Sequence, residues 1–212
     1  QPVSQYIITG NNVTFSVVSS GTTPFSYQWQ KDGSNISGAT SSSYTISSAS
    51  SGDIATYRCV VSNAFGSANS SGAVLNVGTA PSISSHPVDF NATVDGNATF
   101  SVTSTGSALL SFQWQKNDVN INDTNASVYF KSGLTGDDNG TYRVIISNNF
   151  GTATSNGAEL KVGYAPSITT HPASQFIVSG NSVTFSVVPS GTATLTYQWQ
   201  KDGSNITGAT ST

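Results

Sequence analysis

The chain has 212 residues and a formal net charge of −3, from seven Lys/Arg against ten Asp/Glu, and charged side chains make up only 8% of it. That excludes the clustered basic footprint of a nucleic-acid binder, which must displace counterions from phosphates, and a polybasic membrane-surface patch. No apolar run approaches the ~18 residues of a membrane-crossing helix. Ser and Thr together number 63, yet the 36% hydrophobic and 10% aromatic content is enough to bury a core. Met is absent and Val, Ile, Thr, Tyr and Phe dominate, residue types that suit a pleated, half-buried surface. An all-β fold is expected.

In chain order, the period-two apolar pattern predicts strands at roughly 3–8, 12–19, 25–31, 34–40, 43–48, 55–62 and 67–77. Val13, Phe15 and Val17 alternate with Thr14 and Ser16, and Tyr57, Cys59 and Val61 alternate with Arg58 and Val60. Turn signals at Ser20-Gly21, Asp32-Gly33, Ser51-Gly52 and Phe65-Gly66 separate the runs. Seven short strands with one buried face indicate a two-sheet sandwich.

The unit then repeats. Trp29, Trp114 and Trp199 stand at a constant interval, as do Phe15, Phe100 and Phe185, and Pro2, Pro87 and Pro172. Domains are expected at 1–78, 79–163 and 164–212, the last holding only the N-terminal half of the unit, without counterparts of residues 43–77. A half sandwich exposes its inner face and open edges, so the expectation is that the polypeptide continues beyond Thr212 or that another subunit completes the fold. Residues 1–42 and 171–212 are identical at 29 of 42 positions, and the middle copy diverges from both. The genetic unit is therefore expected to be a pair of domains. Between copies, Val77-Gly78-Thr79-Ala80-Pro81 and Val162-Gly163-Tyr164-Ala165-Pro166 leave linkers too short for a flexible coil, which predicts domains set end to end.

The pattern resembles the immunoglobulin-like domain, closest to its intermediate-type set. Trp29 follows Val13-Thr14-Phe15-Ser16-Val17 where the family places its buried tryptophan. Asp53-Ile54-Ala55-Thr56-Tyr57-Arg58-Cys59 and Asp138-Asn139-Gly140-Thr141-Tyr142-Arg143-Val144 match the D-x-G/A-x-Y-x-C element. The resemblance implies tandem Greek-key β-sandwiches with Tyr57 and Tyr142 as tyrosine corners. Ser62-Asn63-Ala64-Phe65-Gly66 followed by Leu75-Asn76-Val77 matches the family's final hairpin. The inter-sheet disulfide is missing, because Val17, Val102 and Val187 occupy its first position and Cys59 or Val144 its second. That departure resembles the cysteine-poor bacterial branch, whose tandem arrays occur in surface and secreted proteins.

The residues that carry chemistry elsewhere read as scaffold here. His86 and His171 occupy one repeated His-Pro position and cannot meet within one molecule. Asp53 and Asp138, with Asp137 beside it, lack calcium-loop spacing and are expected to tie a turn. Cys59 should point inward as an inert thiol. Lys31, Lys116 and Lys201 lie at a turn rather than buried beside a carboxylate, which argues against isopeptide cross-links. No catalytic, cofactor-binding or metal-ligating residue is assigned, and no cofactor is expected. Nine Asn-x-Ser/Thr sequons, at Asn12, Asn35, Asn69, Asn91, Asn97, Asn122, Asn125, Asn139 and Asn205, exceed the about five that composition alone would give.

The expected function is a non-enzymatic, extracellular structural or adhesive repeat of a longer surface or secreted protein, associating with itself into a fibre or with neighbouring repeats of its own chain. The charge-free first strand, Gln5-Tyr6-Ile7-Ile8-Thr9, favours such association. The alternative is a ligand- or carbohydrate-binding accessory region of an enzyme or phage structural protein, for which Tyr44, Tyr129, Phe65 and Phe150 are the candidate aromatics. Phe65 and Phe150 are expected to pack at their own hairpins.

Overall fold

The computed structural model describes residues 1–212. The first domain contains β1 (Gln5–Ile8), β2 (Val13–Ser16), β3 (Ser26–Lys31), β4 (Ser34–Asn35), β5 (Ser43–Ile46), β6 (Ala55–Asn63), β7 (Gly66–Asn69) and β8 (Ala73–Gly78). One sheet runs β1-β8-β6-β3-β4 with β7 also on β6, and β2–β5 forms the opposing layer. The second domain contains β9 (Ser82–Ser85), β10 (Phe90–Thr93), β11 (Asn97–Ser101), β12 (Thr103–Thr105), β13 (Ser111–Lys116), β14 (Val119–Asn120), β15 (Val128–Ser132), β16 (Gly140–Asn148), β17 (Gly151–Thr154) and β18 (Ala158–Gly163). Its large sheet runs β10-β18-β16-β13-β14 with β17 on β16, opposed by β11–β15 and β9–β12. The chain is thus all-β, with two immunoglobulin-like sandwiches in tandem.

Alternation places the core. Along β2 the burial alternates residue by residue, Val13 and Phe15 in, Thr14 and Ser16 out. Phe15, Trp29, Tyr44 and Tyr57 form a closed ring of aromatic contacts, with centroids 5.0 Å apart for Phe15–Tyr57 and 6.1–6.3 Å for the others. Phe100, Trp114, Tyr129 and Tyr142 repeat it at 4.8–6.4 Å. The indole N–H of Trp29 donates to Ser41 O at 3.0 Å and that of Trp114 to Ala126 O at 2.9 Å, so each ring is buried without an orphaned donor. Cys59 lies opposite Trp29 in register, fully buried, as Val144 lies opposite Trp114. Burial pushes the Cys59 thiol pKa up.

Each tyrosine corner closes. Tyr57 OH donates to Asp53 O at 2.9 Å and Tyr142 OH to Asp138 O at 2.8 Å. Burial first, then nearby negative charge and a neighbouring tyrosine, pushes both phenols up to about 12. Before each corner a single 3-10 turn, Ser51–Asp53 or Gly136–Asp138, is capped by its own aspartate. Asp53 accepts from Ser50 N and Oγ at 2.9 Å, and Asp138 from Thr135 N at 2.8 Å. The Ser50 hydrogen bonds hold the Asp53 carboxyl below its usual range. At Asp138 burial pushes upward, but the Thr135 backbone bond and the Lys131 charge outweigh it.

Two expectations are corrected. The strand expected at 67–77 is two, β7 and β8, and the pairing with β6 shifts by one residue between them. Ser70 occupies the shift, its Oγ accepting from Cys59 N at 2.8 Å, so a side chain replaces the ladder there. The strand expected at 34–40 reduces to β4, because the chain turns at Gly38 with φ +74°. In the second domain the first strand divides at His86-Pro87: β9 pairs antiparallel with β12, then β10 crosses and pairs parallel with β18. Pro87 cannot donate to a ladder, which suits a crossover.

Residues 164–212 form the third copy. They hold β19 (Ser167–Thr170) paired with β20 (Val188–Ser190), and β21 (Gln200–Lys201) paired with β22 (Ser204–Asn205). The apolar runs through Val183–Val187 and Tyr197–Trp199 do not form paired strands. Their counterparts β2 and β3 pair with β5 and β6, which have no equivalent in residues 164–212. Phe185 and Val183 are exposed accordingly.

Trp29→Ala should cost about 3–5 kcal/mol in denaturant unfolding of the first domain, as for a large core aromatic, whereas Cys59→Val should be nearly neutral, since Val144 fills that place next door. The pH dependence has two limbs. Asp53 and Asp138, with lowered folded-state pKa values, contribute stability above the unfolded carboxylate range that is lost as pH falls through the folded values. Tyr57 and Tyr142 contribute stability below the unfolded phenol value of 10.0 that is lost as pH rises toward about 12. Thermal melts across pH should therefore show a plateau bounded by these limbs, and phenolate absorbance from the two corner tyrosines should appear only with unfolding.

Candidate functional site

No three His, Cys, Asp or Glu side chains come together. His86 Nδ1 accepts from Asn156 N at 3.1 Å beside the strand crossover, and His171 is exposed in the third copy. Lys31 Nζ donates to Gly52 O at 2.6 Å, and Lys116 Nζ reaches Asp137 O. These groups hold turns. No helix is long and apolar enough to cross a membrane.

The feature that joins distant residues is the junction of the first two domains. Tyr6 on β1 and Phe150 in the β16–β17 hairpin meet edge to face, with ring centroids 5.9 Å apart at 70°. Gly78 ends β8 beneath them, and a Cβ there would overlap the Phe150 ring and Ser107 Oγ. Thr79 is held on both sides: its N–H donates to Ser107 Oγ at 2.9 Å, and its carbonyl accepts from Ser107 N at 3.1 Å and from Asn148 Nδ2 at 2.8 Å. Asn148 Nδ2 also donates to Ser107 O at 3.0 Å, while its Oδ1 accepts from Phe150 N at 2.9 Å. One carboxamide thus ties linker, loop and hairpin together. Such satisfied polar networks around an apolar contact fix geometry rather than merely add attraction.

The second junction repeats the linker lock. Tyr164 N donates to Thr192 Oγ1 at 2.7 Å, and Thr192 N donates back to Tyr164 O at 3.0 Å. A Cβ on Gly163 would lie 2.6 Å from Thr192 Oγ1. Glycine is needed at both linkers because the next domain's loop packs directly on the backbone.

Of the four aromatics considered for ligand contact, Tyr44 and Tyr129 belong to the core rings and are half-buried. Phe150 does not pack at its own hairpin as expected but against the preceding domain. Phe65, its counterpart, is 82% exposed. Asn63 still holds its loop, with Nδ2 donating to Thr22 O at 2.8 Å. Sequence reasoning missed the junction because Tyr6 and Phe150 are paired by tertiary placement, although the repeated Asn-x-Phe-Gly was a usable signal.

Comparison with known proteins agrees with this architecture. Residues 1–63 match the immunoglobulin domain profile and residues 81–162 the immunoglobulin I-set domain profile. The chain is similar to human Roundabout homolog 3 (28% identity, covering 85% of this chain and 14% of that protein). It is also similar to human leucine-rich repeats and immunoglobulin-like domains protein 3 (26%, covering 97% and 21%) and to mouse hemicentin-1 (30%, covering 96% and 4%). It therefore spans about a fifth or less of the length of these relatives. An I-band fragment of titin shares the fold at a TM-score of 0.66 and 23% identity, over 99% of this chain and 80% of the fragment. The expected bacterial type is not supported: these curated relatives are animal proteins.

Gly78→Val should disrupt the junction while leaving both sandwiches folded. The check is amide exchange and small-angle scattering of residues 1–163: protection in β6 and β16 should persist, while the spread of interdomain distances should widen.

Proposed function

Because this is a chain of tandem immunoglobulin-like domains, we propose that it is a non-enzymatic spacer and adhesion segment of an extracellular or cell-surface protein. The observation that carries the reading is the locked junction, in which Asn148, Ser107, Thr79 and the Tyr6–Phe150 pair hold one domain on the next. A flexible string needs no such lock, whereas a segment that holds something at a set distance does. Its repetition around Thr192 supports a regular array. The relatives' tandem immunoglobulin-like regions are consistent with a place outside the cell.

A second reading has its own observation. Phe65, Val18 and Phe25 border an open groove of about 440 Å³ on the first domain, beside Gln1, with Val18 95% exposed. An exposed aromatic beside apolar surface suits a protein or glycan partner.

Small-angle scattering of residues 1–163 separates an array from a loose string. The expected result is an extended particle whose radius of gyration stays constant between low and high salt. Marked salt-dependent compaction would overturn the spacer reading. Beads carrying the chain test adhesion: clustering that Phe65→Ser abolishes would favour contact through the groove.

A further inference from the structure

The nine sequon asparagines and the nine others behave differently. All nine sequon asparagines are exposed. Five of them, Asn12, Asn35, Asn125, Asn139 and Asn205, are oriented through Oδ1, which accepts from Ser48 N, Gln30 Nε2, Phe112 N, Val162 N and Gln200 Nε2 respectively. In none of the nine does Nδ2 donate a hydrogen bond. The asparagines that do donate through Nδ2 are Asn63 and Asn148, both half-buried at loop and junction, and neither lies in a sequon because Phe65 and Phe150 stand where a hydroxyl is needed. The amide nitrogen is therefore free wherever the motif is present and engaged where a bulky substituent would break the junction.

The sequons also gather at sheet edges. The outer strands of the two large sheets are β1, β7 and β4 in the first and β10, β17 and β14 in the second, β7 and β17 pairing only with β6 and β16. Asn35 lies on β4 and Asn91 on β10, while Asn122 and Asn125 follow directly on β14; Asn205 lies on β22, the counterpart of β4. None of these six edge strands carries a charged residue. Edges normally carry lysine, proline or a bulge that prevents pairing with another molecule.

We propose that these exposed asparagines are acceptors for N-linked glycans, and that the glycans at Asn35 and Asn91 guard the sheet edges in place of charge. The step is attack by Nδ2 on the anomeric carbon of an oligosaccharide carried on a lipid pyrophosphate. A C–N bond forms, the C–O bond to the pyrophosphate breaks, the amide loses a proton, and the lipid pyrophosphate departs. Because Oδ1 keeps its hydrogen bond and only an Nδ2 hydrogen is replaced, the folded domains accommodate the product. A hydrated polymer projecting from an edge strand bars a second strand from the ~4.8 Å pairing distance. Lateral association is thereby suppressed and contact is confined to the ends.

The inference rests on the extracellular reading, and the experiment separates the two. The 212-residue chain is directed into the secretory pathway of cultured animal cells by an appended signal, and its glycopeptides are mapped by mass spectrometry. Occupancy at Asn35 and Asn91 is expected; both sites unmodified overturns the proposal. For the edge role, Ser37→Ala with Thr93→Ala removes two edge sequons and leaves their asparagines, with Thr141→Ala, which removes the Asn139 sequon in the turn before the central strand β16, as control. Light scattering should show an about two-fold or greater rise in weight-average mass for the double variant over the control at equal concentration, as expected for unguarded edges. Trimming the unaltered glycoprotein to one sugar per site should reproduce the rise without any substitution. Equal masses throughout overturn the edge role. Failure of the location reading would show separately, as no surface staining of the natural protein on unpermeabilised cells.

Discussion

Each complete domain depends on a ring of four aromatics, one of them a tryptophan. Trp29 and Trp114 are fully buried, and a stack such as Phe15–Tyr57 at 5.0 Å links the two sheets where related domains use a disulfide. With Val17 facing Cys59 across that core, no covalent staple restrains the unfolded chain, so packing must supply what a cross-link of about 2–4 kcal/mol otherwise adds. Tyr57 and Tyr142 serve twice, their rings in the stack and their hydroxyls on the turn that starts β6 or β16. In the third copy the same indole contact recurs, with Trp199 Nε1 donating to Ser211 O at 2.8 Å.

The fold was legible where the pattern is local and periodic. Alternation located β2, β3 and β6 to within a few residues and put Phe15, Trp29 and Tyr57 on buried faces, but Tyr44 and Tyr129, read as candidate ligand aromatics, complete the core rings. What escaped was non-local. Nothing in Gln5–Ile8 announces that it pairs parallel with β8 rather than antiparallel with its neighbour, and nothing in Ser70-Ser71-Gly72 announces a register shift, since the shift exists only relative to β6. The His-Pro crossover was visible as a repeated motif, but its role needs both sheets in place.

The junction follows the same division. Short Pro-bearing linkers already implied restricted domains, and Gly78 and Gly163 stood at repeated positions. That glycine is required there because Phe150, Ser107 or Thr192 occupies the space of a Cβ could not be read from the linker itself. Asn148 illustrates why: its amide serves Thr79, Ser107 and Phe150, residues spread over about a third of the chain. Its counterpart Asn63 makes the same loop and hairpin bonds, donating to Thr22 O and accepting from Phe65 N, and Asn148 adds the bond to the linker.

A low charge content links the core, the junctions and the surface. With only 8% charged residues, these domains have few ion pairs; the second carries Arg143–Asp118 at 3.0 Å, Lys161–Glu159 at 2.9 Å and Lys131–Asp138 at 3.7 Å, all with at least one exposed partner and so weakly stabilising. Hydroxyls and carboxamides do the orienting work that charges do elsewhere: Ser50 and Thr135 at the caps, Ser70 and Ser155 at the bulges, Ser107 and Thr192 at the linkers. Such groups satisfy buried backbone at small desolvation cost but generate no long-range repulsion between molecules. A surface built this way keeps its joints well defined and its edges chemically quiet, and whatever keeps the domains apart must then act sterically, through side chains and substituents at the edge strands themselves.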